Sequence, residues 1–228
     1  MDTTNLSAEQ LAATIDHTLL KPEAQGSTID QLCEEAKEYG FAAVCVNGLW
    51  IGRVAKALEA YPSKPCAVVG FPLGASSPVA VAEEARIAID QGAQEIDMVM
   101  SIGDALDENW NAVREGIARV RQSCAEVPLK VILETCLLST EQKRRACEVC
   151  VEVGVAFVKT STGFAGGGAT AEDVALMRET VGDEMGVKAS GGIRDRDSAL
   201  AMLRAGANRL GCSAGVAIVT GGVGTGSY

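Results

Sequence analysis

Two lysines each close a short apolar run and each precede a glycine-bearing loop. Lys159 ends Val155-Ala156-Phe157-Val158 and opens into Thr160-Ser161-Thr162-Gly163. Lys188 follows Gly186-Val187 and leads into Ala189-Ser190-Gly191-Gly192. A lysine at the end of a buried strand is a poor packing residue, because its charge resists desolvation. Two of them on neighbouring strands offer a different chemistry. One ammonium disfavours a second proton nearby, so its neighbour becomes a neutral nucleophilic amine able to form a Schiff base. A free lysine (pKa ~10.4) is under ~0.1% neutral at pH 7, and lowering that value by about three raises the reactive fraction about a thousandfold. Lys159 is read as the nucleophile because its strand looks longer and more apolar, and Lys188 as the second cation. Spacing alone leaves the reverse assignment open.

A carboxylate to work with them stands in Glu95-Ile96-Asp97-Met98-Val99-Met100. Asp97 sits inside an otherwise apolar run, where an unpaired charge is costly, so a lysine partner is expected. The functional reading is a proton carrier or lysine orienter, and the plain one is a structural ion pair. Asp16 ends another apolar run, beside His17. Asp16 is expected to bond a substrate hydroxyl or a lysine. His17, the sole histidine, is expected to be held by a neighbouring strand or loop rather than to act as a base.

Two further loops read as a phosphate cradle: Ser190-Gly191-Gly192-Ile193-Arg194 and Gly211-Cys212-Ser213-Ala214-Gly215. Glycines let backbone N–H groups converge on an anion. Gly191, Gly192, Gly211 and Ser213 are the candidate positions, with Gly163 as another donor. Plain tight turns are the alternative.

Eight short runs rich in Val, Ile and Leu are expected as strands: 14–19, 42–46, 65–70, 95–100, 129–134, 156–160, 186–189 and 209–212. Nearly continuous apolar character suits parallel strands covered on both faces. Amphipathic segments separate them at 28–39, 51–60, 79–91, 110–124, 140–153, 171–181 and 196–205. Gly40, Gly92, Gly154 and Gly206 recur between a helix and the next strand, as a repeated joint. Alternation of this kind predicts an α/β fold, a (β/α)8 TIM barrel, with the site at the C-terminal strand ends and phosphate near the last two. An open doubly wound sheet is the rival. No Pro/Ser linker splits the 228 residues, so one domain, 1–228, is expected. A helix over 8–15, capped by Ser7 with Gln10, should close the bottom. The glycine-rich end, 221–228, reads as a flexible tail.

The net charge of −10 argues against a nucleic-acid binder. No apolar stretch reaches ~18 residues and the start lacks the features of a leader, so a cytoplasmic location is expected. The eight cysteines fall mostly in apolar stretches and read as buried thiols. Cys147-x-x-Cys150 lacks the second pair that a structural metal site needs, so no metal is expected.

Taken together these residues resemble the deoxyribose-phosphate aldolases. The resemblance runs through Ile15-Asp16-His17-Thr18-Leu19-Leu20-Lys21-Pro22, Val69-Gly70-Phe71-Pro72-Leu73-Gly74, Glu95 to Val99 and Glu134-Thr135-Cys136-Leu137-Leu138. Its most specific parts are Phe157 to Gly163 and Val187 to Arg194. It implies a class I aldolase that cleaves 2-deoxy-D-ribose 5-phosphate to acetaldehyde and glyceraldehyde 3-phosphate, with no cofactor, and it suggests a homodimer. Lys159 matches the Schiff-base lysine, Lys188 its perturbing neighbour, and Asp97 the carboxylate that moves protons with a water. Gly191, Gly192, Gly211 and Ser213 match phosphate positions. Tyr228 ends the chain as a tyrosine does in several members, where its hydroxyl aids proton transfer. Ser101, Gly48 and Cys212 depart from the usual pattern, and none of them removes a catalytic group. Another phosphate-binding barrel enzyme, a Schiff-base dehydratase or an isomerase, is one rival. A catalytically silent binding barrel is the other.

Overall fold

A computed structural model describes residues 6–224. Its strands are β1 (Ile15–Leu19), β2 (Ala43–Asn47), β3 (Lys64–Val69), β4 (Glu95–Val99), β5 (Leu129–Ile132), β6 (Phe157–Lys159), β7 (Gly186–Ser190) and β8 (Arg209–Cys212). They pair in sequence order, all parallel, and close into a barrel. Closure is made by β8 against β1, with Ile15, Asp16 and His17 opposite Leu210, Gly211 and Cys212. The open-sheet rival is excluded.

The helices are α1 (Ala8–Ala12), α2 (Gly26–Tyr39), α3 (Ile51–Leu58), α4 (Pro78–Asp90), α5 (Ile102–Leu106), α6 (Trp110–Cys124), α7 (Thr140–Val153), α8 (Ala171–Val181), α9 (Arg196–Arg204) and α10 (Gly215–Thr220). Their starts follow local chemistry. Ser7 and Gln10 form a reciprocal capping box on α1, as do Ser139 and Gln142 on α7 and Asp195 and Ser198 on α9. The helix-to-strand joints at Gly40, Gly92, Gly154 and Gly206 all have positive φ, which explains why glycine recurs there. Two short helices, α5 and α10, lie outside the amphipathic segments read from sequence. Each has five or six residues, too few to show a 3.6-residue period.

Two apolar layers hold the barrel. The larger lies between strands and helices and takes the outward side chains of the strands, such as Val44, Val46, Ala67 and Ile96, together with the helix stripes. The smaller, of Leu20, Ala43, Cys45, Cys66 and Val68, fills the interior on the β2–β3 side. The rest of the interior is charged, and that asymmetry makes the site.

The segment expected to be flexible is pinned where it starts. Gly222 N donates to Ala217 O and Gly224 N to Arg194 O, both at 2.8 Å. Tyr228 lies outside the described residues.

Candidate active site

Strands β4 to β8 and β1 each point charge into the barrel. Asp97 of β4 is at the centre and wholly buried. Its Oδ2 accepts from Lys159 Nζ at 2.8 Å and from Lys188 Nζ at 2.7 Å. Its Oδ1 accepts from Lys130 Nζ at 2.7 Å and from the Cys66 thiol at 3.2 Å. The two lysines singled out by their motifs are paired in register on β6 and β7. A single carboxylate oxygen separates their nitrogens.

The ion pairs divide unequally. Lys188 also donates to Asp16 Oδ2, and Asp16 Oδ1 accepts from Arg209 Nε at 2.5 Å. Lys130 bonds Glu95 at 2.7 Å as well as Asp97. Arg209 reaches Glu95 through Nη2 at 2.6 Å. Among the described residues, four cations (Lys130, Lys159, Lys188, Arg209) thus meet three carboxylates (Asp16, Glu95, Asp97). Lys159 has a salt bridge to Asp97 alone, while each of the other three cations bridges at least two carboxylates. Its side chain is 3% exposed, against 0% for Lys130 and Lys188.

Burial disfavours every one of these charges, and the neighbours decide the outcome. For Asp97, burial works against ionisation, yet Lys130, Lys159 and Lys188 outweigh it and hold the carboxyl well below the usual range. For Lys188, burial would favour the neutral amine, but Asp16 and Asp97 push it well above the ordinary lysine value, so it stays a cation. Asp16 is brought down to about 2 because Lys188, Arg209 and Lys130 overcome the cost of its burial.

That last shift carries a stability consequence. A carboxyl with a depressed folded-state pKa stabilises above its unfolded value and loses that contribution as pH falls toward its folded value. For Asp16 the window runs from about pH 4 down to about 2 and is worth on the order of 2 kcal/mol. The urea midpoint should therefore fall steeply with acid across that window. A midpoint flat down to pH 2 would contradict the paired state of Asp16.

Above the lysines the chain builds a glycine-lined cavity of about 300 Å³. Gly163, Gly191, Gly192 and Ser213 line it, together with Gly166, Gly167, Gly168, Arg194 and Cys212. Close packing requires glycine at two of these positions. A Cβ on Gly168 would lie 2.5 Å from Gly191 O, and one on Gly191 would lie 2.9 Å from Gly168 Cα. Gly211 is placed differently. It lies within β8 and is absent from the cavity wall, and a Cβ there would stand 2.3 Å from Ser190 Oγ and 3.0 Å from Lys188 Cε. Gly211 gives Lys188 room to reach its carboxylates.

His17 stands apart from this network. Its Nε2 is 2.6 Å from Glu35 Oε2 and its ring packs on Phe41, which matches the expectation of a histidine held by its surroundings. Ser101 caps α5 through its neighbourhood, its hydroxyl bonding Asp104 at 2.5 Å.

Three parts of the site were not read from the sequence. Lys130 is fully buried in an apolar strand, so the argument that found Asp97 applies to it equally. Glu95 and Arg209 open their strands, where charge looks like an ordinary solvated end. Glu134 is buried with a left-handed backbone at φ 57°, and its carboxylate accepts from the Thr162 N–H at 3.2 Å and from the Thr162 hydroxyl. It ties the loop after β5 to the loop that carries Gly163. The strand of Lys159 is not the longer one: β6 has three residues and β7 five. Ion pairing, not strand length, distinguishes the two lysines.

Known proteins are similar to this chain. A family profile described as DeoC/LacD family aldolase matches residues 10–221. The chain is 54% identical over 213 residues to a deoxyribose-phosphate aldolase of Brevibacillus brevis, covering 93% of this chain and 96% of that one. It is 53% identical to a deoxyribose-phosphate aldolase of Halalkalibacterium halodurans, over 97% of this chain and all (100%) of that one. The tetrameric deoxyribose phosphate aldolase of Aeropyrum pernix superposes with a TM-score of 0.87 at 32% identity, over 94% of this chain and 91% of that one. A profile that spans nearly the whole barrel, together with relatives of matching length, places this chain in the DeoC/LacD family of aldolases.

Proposed function

We infer that the protein is a class I aldolase that reversibly cleaves 2-deoxy-D-ribose 5-phosphate to D-glyceraldehyde 3-phosphate and acetaldehyde. The observation that carries the reading is the placement of Lys159 and Lys188 on one carboxylate oxygen, four and three residues before Gly163 and Gly191 of a cavity with room for a phosphate. Lys159 is assigned as the nucleophile: it has the fewest carboxylate partners and is the lysine of the cluster with any exposure. Lys188, held charged by two carboxylates, is the cation that opposes a proton on its neighbour.

In the synthetic direction the neutral Lys159 amine adds to acetaldehyde and loses water to give an iminium. The iminium draws electrons from the adjacent methyl, whose proton leaves through a water bonded to Asp97 and yields an enamine. The enamine carbon then attacks the aldehyde of glyceraldehyde 3-phosphate. Backbone N–H groups around Gly163, Gly191 and Gly192, with Ser213 and Arg194, hold the phosphate. Water hydrolyses the resulting iminium and releases Lys159. The scheme draws on side chains and backbone donors of the chain, together with water. Asp16 acts by fixing Lys188. Tyr228, outside the described residues, keeps its proposed part in proton transfer. The same reading includes a cytoplasmic homodimer, and no helix of the described residues is long and apolar enough to cross a membrane.

The test is reductive trapping. Borohydride added with acetaldehyde should fix a two-carbon adduct on the peptide bearing Lys159, and K159L should lose it. A label confined to Lys188 would reverse the two roles. Absence of any adduct would remove the Schiff-base reading, as expected for an isomerase or a silent binding barrel.

A further inference from the structure

Among the described residues, two buried hydroxyls next to the lysines have no hydrogen-bond partner. They are Ser161 Oγ and Ser190 Oγ, in side chains 0% and 1% exposed. Both come two residues after a site lysine, in Lys159-Thr160-Ser161 and Lys188-Ala189-Ser190. Strand alternation puts Ser190, the last residue of β7, on the inward face of Lys188, one layer closer to the mouth, while Ser161 lies in the loop that follows β6. The position of Ser190 is fixed further by Gly211, since a Cβ there would meet both Ser190 Oγ and Lys188 Cε. The Ser190 hydroxyl therefore stands beside the Lys188 stem. It is not needed to hold the strands together. Thr160 does that, its hydroxyl donating to Ser190 O at 3.1 Å and accepting from Ser190 N at 3.0 Å.

A buried hydroxyl left unpaired is costly, so a water or a ligand group is expected to complete it. The ligand's chemistry follows from position. Ser190 lies between the amines below and Gly191 and Gly192, which line the phosphate cavity above. An acceptor aldehyde that reaches from the enamine carbon to that cavity must pass its middle carbon at this level. In glyceraldehyde 3-phosphate the middle carbon carries a hydroxyl. We propose that Ser190 is a specificity-determining residue that binds the hydroxyl on the carbon next to the acceptor's aldehyde. Selection then arises because an acceptor without that hydroxyl leaves the serine unpaired in a dry site.

The inference rests on the aldolase reading above, and one experiment separates the two. Wild type and S190A are each assayed for condensation of acetaldehyde with glyceraldehyde 3-phosphate and with 3-oxopropyl phosphate, the same chain without the hydroxyl. The ratio of kcat/KM for the hydroxylated over the deoxy acceptor should fall roughly tenfold in S190A, the worth of one hydrogen bond. The melting temperature of the variant should not fall, because an orphan hydroxyl contributes nothing to the empty barrel. An unchanged ratio overturns the assignment, whether both rates drop together, as they would if Ser190 held a catalytic water, or neither moves. If S190A does not fold, S190C, close in size and a weak donor, is read the same way. Failure of the wild type to join acetaldehyde to either acceptor would instead overturn the aldolase reading, a result distinct from an unchanged ratio.

Discussion

Asparagine at position 97 is expected to leave a folded barrel whose kcat/KM is lower by about a thousandfold or more. The substitution keeps the shape of the side chain and one acceptor oxygen, and removes the charge. In the native site that charge faces three ammoniums, from Lys130, Lys159 and Lys188, at 2.7, 2.8 and 2.7 Å. Without it, four cations face only Asp16 and Glu95. Breaking a buried ion pair by removing one partner costs roughly 3–5 kcal/mol, so the melting temperature should fall as well. The proposed mechanism adds a second route to lost activity, since an amide cannot serve as the base that it assigns to Asp97. The two effects are separable. Borohydride trapping of acetaldehyde on Lys159 reports Schiff-base formation, and turnover reports the proton transfer that follows. D97N should lose far more turnover than trapping. A fall in kcat/KM below about tenfold would remove Asp97 from the proton path.

The site was legible in the sequence where a charge interrupted an apolar run next to a glycine loop. Lys159 and Lys188 satisfied both conditions, and Asp97 satisfied the first. Their convergence on one oxygen was not legible, because it depends on barrel closure and strand stagger, which bring β4 opposite β6 and β7. Lys130 meets the same condition as Asp97, but no glycine loop follows it to mark it as a site residue. Arg209 and Glu95 could not be told from solvated strand ends, since what buries them is the far side of the barrel. The fold itself was plain: eight apolar runs with helical stripes between them admit few closed arrangements. Gly211 adds a constraint that motifs do not show: it is a strand residue, and a side chain there would meet Ser190 Oγ and Lys188 Cε.

Methionine in place of Lys188 is the sharper test of how the amine is activated. Met matches the length of the lysine stem, fills its place between Gly211 and Asp97, and carries no charge. Asp16 keeps Arg209 at 2.5 Å and Asp97 keeps Lys130 and Lys159, so no carboxylate is left bare. The stability cost should accordingly be smaller than in D97N. The chemical cost should not. Lys188 shares Oδ2 of Asp97 with Lys159, and its removal takes away an ammonium held on the same oxygen. Trapping of acetaldehyde on Lys159 at neutral pH should then be slower, and turnover should fall by about two to three orders of magnitude. Lys130 supplies the control for simple charge. It is as deeply buried and also bonds Asp97, but on Oδ1, the other oxygen. If proximity governs activation, K130M will slow trapping much less than K188M. If the two variants slow it equally, net charge in the barrel is what matters and the pairing of neighbouring strands is incidental. Trapping in K188M as fast as in the wild type would leave Lys188 with no part in activating the amine.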